Sequence, residues 1–416
     1  MPNPATDITI EHYSRPEVKE TILRHCLDPE GFRALNAGEG WYTQGNAPGE
    51  VRLTTPDDYE MLIRRDRVLY ATIDMLDYSV QKISERWDAV KNAPEHTIGT
   101  LRDCKAYKLS ADIDSIKHDG LNIMTSPETK KAVETAGQFY VDYLKANGIE
   151  KSVHCLYSGG GIYIHIHHEL FRVGSDWTPE DREFAWRSLT MAYNFLIADI
   201  ERRFFEEYPQ FKGLVKIDKL NGQKKKFKCI FSIHKRFPVA VIPLDRDHIK
   251  IDFNRARLPL SDEVIEDGAR WYQEYDISEK EALKELLRPF TREAEEELNE
   301  RRAEGDYEVK AWYENPLPIE KWPDCMKNIL TGCTIDRGPH RALAVLAAYL
   351  FQAGWPENDA FRLWSSVAAP LGVEVRVFNS WYGVMKCPSC NKIKRVGMGY
   401  PAIGLGEYGY CSGRCF

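Results

Sequence analysis

The segment Ala111–Asp114 carries two carboxylates, Asp112 and Asp114, on either side of Ile113. Side chains alternate along a β-strand, so a strand here places both carboxylates on one face, about 6–7 Å apart. Two carboxylates at that spacing repel each other unless a divalent cation lies between them. The pair therefore predicts a metal site if it faces a cleft, although such a pair alone is more typical of an exposed strand end.

A third carboxylate, Asp218, ends a second apolar segment that begins at Val215. Three carboxylates from separate strands are what a two-metal nucleotidyl-transfer site needs. One metal activates the attacking 3′-hydroxyl and the other neutralises the leaving pyrophosphate. The alternative for Asp218 is an ion pair with Lys216 or Lys219.

A glycine-rich turn, Ser158-Gly159-Gly160-Gly161, leads into a short run that contains three histidines. Glycines let a backbone approach a phosphate or a base without a Cβ in the way. Strand alternation then places Tyr163, His165 and His167 on one face. We expect His165, more than His167, to bind triphosphate oxygens. An ordinary hairpin and a transition-metal site are the alternatives.

A third segment, residues 227–234, is predicted to be a strand with polar donors on one face. Together these hydroxyl, imidazole and cationic side chains suit a triphosphate, and they are Lys228, Ser232, His234 and Arg236. A basic, exposed edge strand would have the same pattern. The preceding run Lys224–Lys226 is expected to be a solvated loop or a backbone contact.

Six of the ten cysteines lie in the last 92 residues: Cys325, Cys333, Cys387, Cys390, Cys411 and Cys415. In a reducing compartment such a cluster favours metal binding over disulfides. Cys387-x2-Cys390 and Cys411-x3-Cys415 have the spacing of a tetrahedral zinc site. Cys333 is expected to take no part.

Composition and charge place these motifs in an ordinary globular protein. The chain has 416 residues, of which 43% are hydrophobic, and this length predicts two or three domains. The net charge of -7 gives no global sign of nucleic-acid binding, but residues 216–236 hold eight basic residues against one acid. No signal peptide or membrane span is evident, so we expect a cytoplasmic protein with no membrane partner.

The elements that position the motifs predict an α+β fold. Residues 13–100 are expected to be mostly helical. Long helices are expected from Pro127 to Asn147 and from Pro179 to Tyr208. Strands are predicted over 105–113, 153–157, 162–168, 214–220, 227–234 and 238–244. Helices over 281–300, 340–353 and 356–368 then predict a mainly α-helical C-terminal part. These patterns predict domains at 1–295 and 316–416, joined by an acidic helical linker over 296–315.

The order of the first three motifs resembles the small catalytic subunit of archaeal and eukaryotic primases. It also resembles the primase-polymerases of archaeal plasmids and viruses. The resemblance matches Asp112 and Asp114 to the first family motif, Ser158 and His165 to the second, and Asp218 to the third. It matches Ser232, His234 and Lys235 to the segment that contacts the incoming nucleotide. The family histidine usually lies nearer Tyr163, two residues before His165. The early pair His12-Tyr13 also resembles the start of that subunit.

This resemblance implies an RRM-like catalytic core and two Mg²⁺ or Mn²⁺ ions. It implies de novo synthesis of a short primer on single-stranded DNA from NTPs or dNTPs. The Gly-x4-Gly-Lys-Ser/Thr phosphate loop is absent from the sequence, so a separate helicase is expected to unwind the template.

The tail resembles the C-terminal domain of the primase large subunit, through Trp322–Cys325, Pro388–Cys390 and Gly409–Cys411. The resemblance implies a [4Fe–4S] cluster on Cys325, Cys390, Cys411 and Cys415. If the metal is zinc, Cys387 replaces Cys325. The whole chain would then be a single-chain primase whose tail holds the template and the 5′-terminal nucleotide.

Three other functions remain open for the same residues. The first is a polymerase that extends primers or copies damaged templates with little initiation. The second is a non-catalytic protein of replication that binds single strands. The third is a metal-dependent nuclease built on the same acids.

Overall fold

The structure is a computed structural model that describes residues 7–38, 56–77, 104–116, 122–173, 177–218, 225–303, 309–331, 339–390 and 393. The chain divides into two compact units, residues 1–298 and residues 299–416. The first unit combines helices with antiparallel sheets, and the described part of the second is helical. The α+β class is thus confirmed.

The first unit begins with two helices, α1 (Asp7–Ser14) and α2 (Pro16–Cys26). Its third helix is α3 (Pro56–Arg65). Three short strands lie between α2 and α3 along the chain, and two follow α3. They are β1 (Leu27–Asp28), β2 (Gly31–Phe32), β3 (Leu35–Ala37), β4 (Leu69–Thr72) and β5 (Asp74–Asp77). The prediction of a mostly helical segment over 13–100 is therefore wrong for its described part, where five strands interrupt the helices.

The region predicted as a single strand over 105–113 contains two strands in different sheets. They are β6 (Cys104–Tyr107) and β7 (Ser110–Ser115), with Lys108 and Leu109 between them. The next strands are β8 (Val153–Tyr157), β9 (Gly161–Ile166), β10 (Val215–Asp218), β11 (Lys226–Lys228) and β12 (Ile242–Leu244).

Five strands form the central sheet, in the order β10-β7-β9-β8-β12, and all of its pairs are antiparallel. A four-stranded sheet, β1-β2-β5-β6, and a three-stranded sheet, β11-β4-β3, lie in the same unit. Helix α4 (Pro127–Ala146) packs on β7, β9 and β10, and α5 (Pro179–Glu207) packs on β10. These helices cover one face of the central sheet.

Local sequence signals place the two long helices. The Ser126 side chain accepts a hydrogen bond from the Thr129 amide at the start of α4, and Thr178 does the same for Asp181 at the start of α5. A hydroxyl cap followed by proline in the first turn is a strong start signal. The described part of the unit has three further α-helices: α6 (Phe253–Ala256), α7 (Asp262–Arg270) and α8 (Glu279–Ala303), which runs across the division at 298.

The second unit contains α9 (Asp324–Thr331), α10 (Pro339–Gln352), α11 (Glu357–Ala368) and α12 (Arg376–Trp381). Helix α10 is apolar on nearly every side, with Leu343, Leu346 and Leu350 fully buried. Such a helix must lie at the centre of its own core, and α9, α11 and α12 pack around it. Within the described residues, no helix is long and apolar enough to cross a membrane.

Candidate active site

A cleft of about 600 Å³ opens beside the glycine turn that joins β8 to β9. Its wall includes parts of β7, β10 and β11, this turn, and the loop over 234–237. Two carboxylates, Asp112 and Asp114, line it. Six cationic side chains line it as well: Lys216, Lys225, Lys226, Lys228, Lys235 and Arg236. Such a lining suits a polyanion that binds together with a cation.

Strand register brings the three predicted acids together. Asp112 on β7 lies opposite Tyr163 on β9 and opposite Asp218 on β10. Asp114 lies two residues further along β7, opposite Gly161. Directly paired residues of antiparallel strands point to the same face, with their Cβ atoms about 4.5–5.5 Å apart. Asp112, Asp114 and Asp218 therefore share one face of the central sheet.

Asp112 combines a buried carboxyl group with two neighbouring acids. Its Oδ1 atom is buried and has no hydrogen-bond partner among the described residues. Burial raises the pKa of its carboxyl well above the usual range, and the nearby Asp114 and Asp218 raise it further. Lys225 and Lys228 act in the opposite direction. A buried, unpartnered carboxylate oxygen beside two other acids fits a divalent cation.

The lysine run before β11 contributes directly to this site. Lys225 Nζ donates a hydrogen bond to Asp218 Oδ2 at 3.1 Å, and Lys226 also lines the cleft. These two residues are therefore not a solvated loop, and the alternative of a backbone contact holds for Lys226, whose Nζ donates to the Gly38 carbonyl at 3.4 Å. Lys224 lies outside the described part of the chain. Lys225 thus pairs with Asp218, and Lys219, one of the two partners that the sequence suggested, lies outside the described residues.

The glycine turn closes tightly against β7. Ser158 Oγ accepts a hydrogen bond from the Gly161 amide at 3.1 Å, and the Ser158 amide donates to the Gly161 carbonyl at 2.9 Å. A Cβ on Gly161 would lie 2.0 Å from the Ile113 carbonyl oxygen, so only glycine fits there. Lys228 Nζ donates to the Ser158 carbonyl at 2.8 Å and so joins β11 to the turn.

His165 lies outside the cleft, although it shares a sheet face with Asp112 as predicted. It pairs with Ser110, one pleat beyond Tyr163, and its side chain is fully buried. Its Nδ1 lies 2.7 Å from Ser110 Oγ. Burial lowers the pKa of His165 well below its usual value. Tyr163 lines the cleft where we expected His165.

His167 lies further still from the acids. Its Nε2 is 3.2 Å from the Tyr272 carbonyl oxygen, and its ring stacks on Tyr275 at 4.5 Å. Neither His165 nor His167 is thus in place to contact a triphosphate in this cleft. The alternation of these histidines in the sequence therefore reflects an aromatic cluster in the core and not a phosphate site.

The segment predicted as a strand over 227–234 turns away after Lys228. Phe231 has a φ of 63°, in the left-handed region, so the chain cannot continue as a strand. Ser232 is fully buried, and its Oγ accepts a hydrogen bond from the Leu69 amide at 2.9 Å. Ser232 therefore supports the loop from beneath and does not face the cleft with Lys228 and His234.

Helix α1 holds the same loop in place. Tyr13 Oη accepts a hydrogen bond from the Ile233 amide at 2.9 Å and donates to the Arg67 carbonyl at 2.7 Å. His12 Nε2 lies 2.9 Å from the Phe231 carbonyl oxygen, to which it donates. The pair His12-Tyr13 is thus a support for the cleft. The sequence pointed to this pair only through its resemblance to a known subunit.

His234 and Lys235 line the cleft, as expected for residues that hold a triphosphate. Burial, Lys228 and Lys235 lower the pKa of His234 to about 4, so its imidazole is neutral at neutral pH. Sequence reasoning missed two aromatic residues of the same wall, Tyr70 and Phe237. Tyr70 lies in the uncharged strand β4 and Phe237 follows a basic run, and no local pattern distinguishes either residue as part of a site.

Three cysteines lie near one another in the second unit, although their sulfur atoms are not all within 4.8 Å of one another. Burial raises the pKa of Cys387, and the nearby Cys325 and Cys390 raise it further. Cys325 lies in the first turn of α9 and is buried, while Cys387 and Cys390 are half-buried. Cys411, Cys415 and Cys333 lie outside the described residues. The fold thus brings together Cys325 and Cys387, which the sequence had offered as alternatives.

A second group of potential ligands, Asp28, His168 and Glu169, lies in the first unit with its ligand atoms within 4.8 Å of one another. Arg172 already occupies this group. Its Nη2 lies 3.0 Å from Asp28 Oδ2 and 2.5 Å from Glu169 Oε1. Hydrogen bonds from His168 and Arg172 lower the pKa of Glu169 to about 2. The guanidinium takes the place of a cation, so we interpret this group as a structural ion pair.

Comparisons with known proteins leave the chain unassigned. No protein-family model matches the sequence, and the comparison with curated proteins found no match. Among solved structures, the chain is similar to the polymerase domain of Mycobacterium tuberculosis ligase D in complex with DNA. The two are 14% identical, the match covers 69% of this chain and 88% of that chain, and the TM-score is 0.30. At this TM-score the likeness identifies neither the fold nor the function.

Proposed function

We propose that this chain is a metal-dependent nucleotidyltransferase of the primase type, which makes short primers on single-stranded DNA. One observation carries the proposal: two carboxylates and six cations line one cleft beside a glycine turn. A nucleoside triphosphate with its metals needs both kinds of charge at close range. The order of motifs along the chain supports the primase class, and with it an RRM-like core made of the central sheet.

Asp112, Asp114 and Asp218 would hold two Mg²⁺ or Mn²⁺ ions. When bound, such ions activate the attacking 3′-hydroxyl and neutralise the leaving pyrophosphate. The unpartnered Oδ1 of Asp112 supports this assignment, since a buried acid among acids needs a cation to stay ionised.

The chain's own cations would hold the triphosphate. Lys228 donates to the Ser158 carbonyl and so places its ammonium group at the turn, and Lys235 lines the same cleft from the loop over 234–237. His234 can donate one neutral hydrogen bond without adding charge. Gly159 and Gly160 let phosphate oxygens approach the backbone of the turn. His165 and Ser232 would act indirectly in this arrangement, by supporting the walls.

For the second unit we propose a thiolate metal site in residues 316–416. The nearby thiols of Cys325, Cys387 and Cys390 support it, because neighbouring thiolates repel one another and a shared metal ion relieves that repulsion. Cys411 or Cys415 would complete the set, with either a [4Fe–4S] cluster or zinc. Iron and zinc analysis of anaerobically purified protein, with an absorption spectrum, separates the two. The proposed role of this unit is to hold the template and the 5′-terminal nucleotide.

The test is primer synthesis from labelled NTPs or dNTPs on a single-stranded template with Mg²⁺ or Mn²⁺. We expect dinucleotides and short primers from the unaltered protein, and none from the double variant Asp112→Asn, Asp114→Asn. Glu150→Gln, an exposed carboxylate outside the cleft, is the matched control and should keep full activity.

Other outcomes would replace the proposal. Extension of a supplied primer without initiation would indicate an extending or translesion polymerase. Strand cleavage that depends on the same acids would indicate a nuclease. Single-strand binding without incorporation would indicate a non-catalytic replication protein. Because the chain shows no helicase motif, the proposal also includes a separate helicase that supplies the template.

A further inference from the structure

Phe237 is an aromatic side chain that no motif explains. Its ring is 38% exposed, and it lines the cleft beside Lys235 and Arg236. Single exposed apolar residues are common. Phe237 differs because its ring stacks on the imidazole of His234, with centroids 5.2 Å apart and planes 14° from parallel.

The stacked pair is built onto the glycine turn. Gly159 has a φ of 88°, and a Cβ at this position would lie 2.7 Å from His234 Cδ2. The imidazole is therefore in close contact with the turn and also with the ring of Phe237. Since the imidazole covers one face of the phenyl ring, its exposed part is the other face and the edge.

Hydrogen bonds fix the loop that carries both rings. The His234 amide donates to the Val239 carbonyl at 2.8 Å, and Arg67 Nη2 donates to the Phe237 carbonyl at 3.2 Å. His234 Nδ1 accepts from the Arg236 amide at 3.2 Å. A ring held in this way loses little conformational freedom when a flat ligand packs on it.

The cations beside the stacked pair determine which part of a nucleotide would bind to which part of this wall. Lys228 and Lys235 lie beside His234 and provide charge for phosphates. The open face of Phe237 provides an apolar, flat surface, and a nucleobase has such a face whatever its identity. The ribose would then bridge the two.

We propose that Phe237 stacks on the base of the nucleoside triphosphate whose phosphates bind at Lys228, His234 and Lys235. This inference rests on the proposed function, because it needs a nucleotide in the cleft. It adds a nucleobase subsite that accepts all four bases.

The experiment measures dissociation constants of the full chain for Mg²⁺–ATP and for Mg²⁺–tripolyphosphate, which lacks base and sugar. Stacking predicts that ATP binds about 5- to 150-fold more tightly than tripolyphosphate. Phe237→Leu should raise the dissociation constant of ATP close to that of tripolyphosphate and leave the dissociation constant of tripolyphosphate unchanged. Phe237→Trp should keep the difference. Trp177→Leu, which removes an equally exposed aromatic outside the cleft, should change neither value.

The unchanged affinity for tripolyphosphate shows that the leucine variant is folded. Equal binding of ATP and tripolyphosphate by the unaltered chain would overturn the subsite. So would a Phe237→Leu variant that retains the full difference, or one that loses both ligands equally. Binding of neither ligand by the unaltered chain would overturn the proposed function itself, and the two failures are thus distinguishable.

Discussion

The two ends of one sheet face carry similar polar residues in opposite environments. At one end of β7 and β9, Asp112 and Asp114 face an open cleft beside Gly161. At the other end, His165 lies opposite Ser110 and is fully buried. Both ends follow the same alternation along the same two strands.

The difference between the ends is what covers them. Phe227 and Trp271 pack on the His165 ring, with centroids 5.3 and 6.1 Å away. Burial under this cover lowers the pKa of His165 well below its usual value, so the ring is neutral at neutral pH. A buried atom lacks a hydrogen-bond partner among the described residues at both ends, Oδ1 of Asp112 and Nε2 of His165. The ends differ in charge, because a neutral imidazole can stay buried in an aromatic cluster, whereas an ionised acid beside two other acids needs a cation.

The largest effect is expected at the acid end. Asp114→Asn should reduce nucleotide incorporation by at least about 10³-fold, since metal-borne charge stabilisation is worth several kcal/mol. Its thermal unfolding should be nearly unchanged, because the site is open. Steady-state incorporation and a melting curve measure both. If the variant kept more than about a tenth of the activity, Asp114 would have no essential role in the reaction.

The histidine end should respond in stability. His165→Ala should lower the free energy of unfolding by about 2–4 kcal/mol, because it leaves a cavity in a packed core. Incorporation by the folded fraction should stay within about threefold, or less than 1 kcal/mol. His234→Ala is the matched control in the cleft. It should cost less than about 1 kcal/mol of stability but weaken nucleotide binding about tenfold. Equal loss of activity in both variants would contradict the comparison.

Local signals in the sequence were enough for the acid end. The period of two placed Asp112 and Asp114 on one face, and an apolar segment before Asp218 suggested its neighbouring strand. The caps at Ser126 and Thr178 located the long helices, since a cap and its partner lie three residues apart. Each of these features depends on residues close together in the chain.

The rest depends on contacts between distant segments. Ser232 is buried because its hydroxyl meets the Leu69 amide, 163 residues away. Lys225 reaches Asp218 only because the chain folds back before β11. Nothing in the order of residues shows that Trp271 covers His165. Periodicity predicts which face a side chain occupies, and it does not predict what lies over that face.

The carboxyl group of Asp112 should make the stability of the metal-free protein depend on pH. Its pKa is raised in the folded state, so the folded state binds more protons than the unfolded state at intermediate pH. The unfolding free energy of the metal-free protein should therefore fall as pH rises from the usual carboxyl range through the raised pKa. Asp112→Asn should remove this part of the pH dependence and stabilise the metal-free protein at pH 8 by about 1–3 kcal/mol.

Denaturant unfolding with chelator between pH 5 and pH 8 measures this effect. Adding Mn²⁺ should raise the unfolding free energy of the unaltered protein at pH 8 and leave the unfolding free energy of Asp112→Asn unchanged. The assignment would be contradicted if Asp112→Asn were less stable than the unaltered protein at pH 8. Replacing the carboxylate with a neutral amide removes a buried charge that repels its neighbours, so it should not destabilise the metal-free site.

The smallest effect is expected at Lys225. Its ammonium pairs with Asp218 at 3.1 Å, and both side chains are about a quarter exposed. Such a pair contributes at most about 1 kcal/mol, so Lys225→Met should barely change stability. Removing this positive charge should instead strengthen Mn²⁺ binding about two- to fivefold, because the lysine competes with the ion for the acids. Lys235→Met, which removes a cleft lysine that is not among the cations acting on Asp112, should not strengthen it. If Lys225→Met weakens Mn²⁺ binding, the lysine supports the acid cluster and does not take the place of its cation.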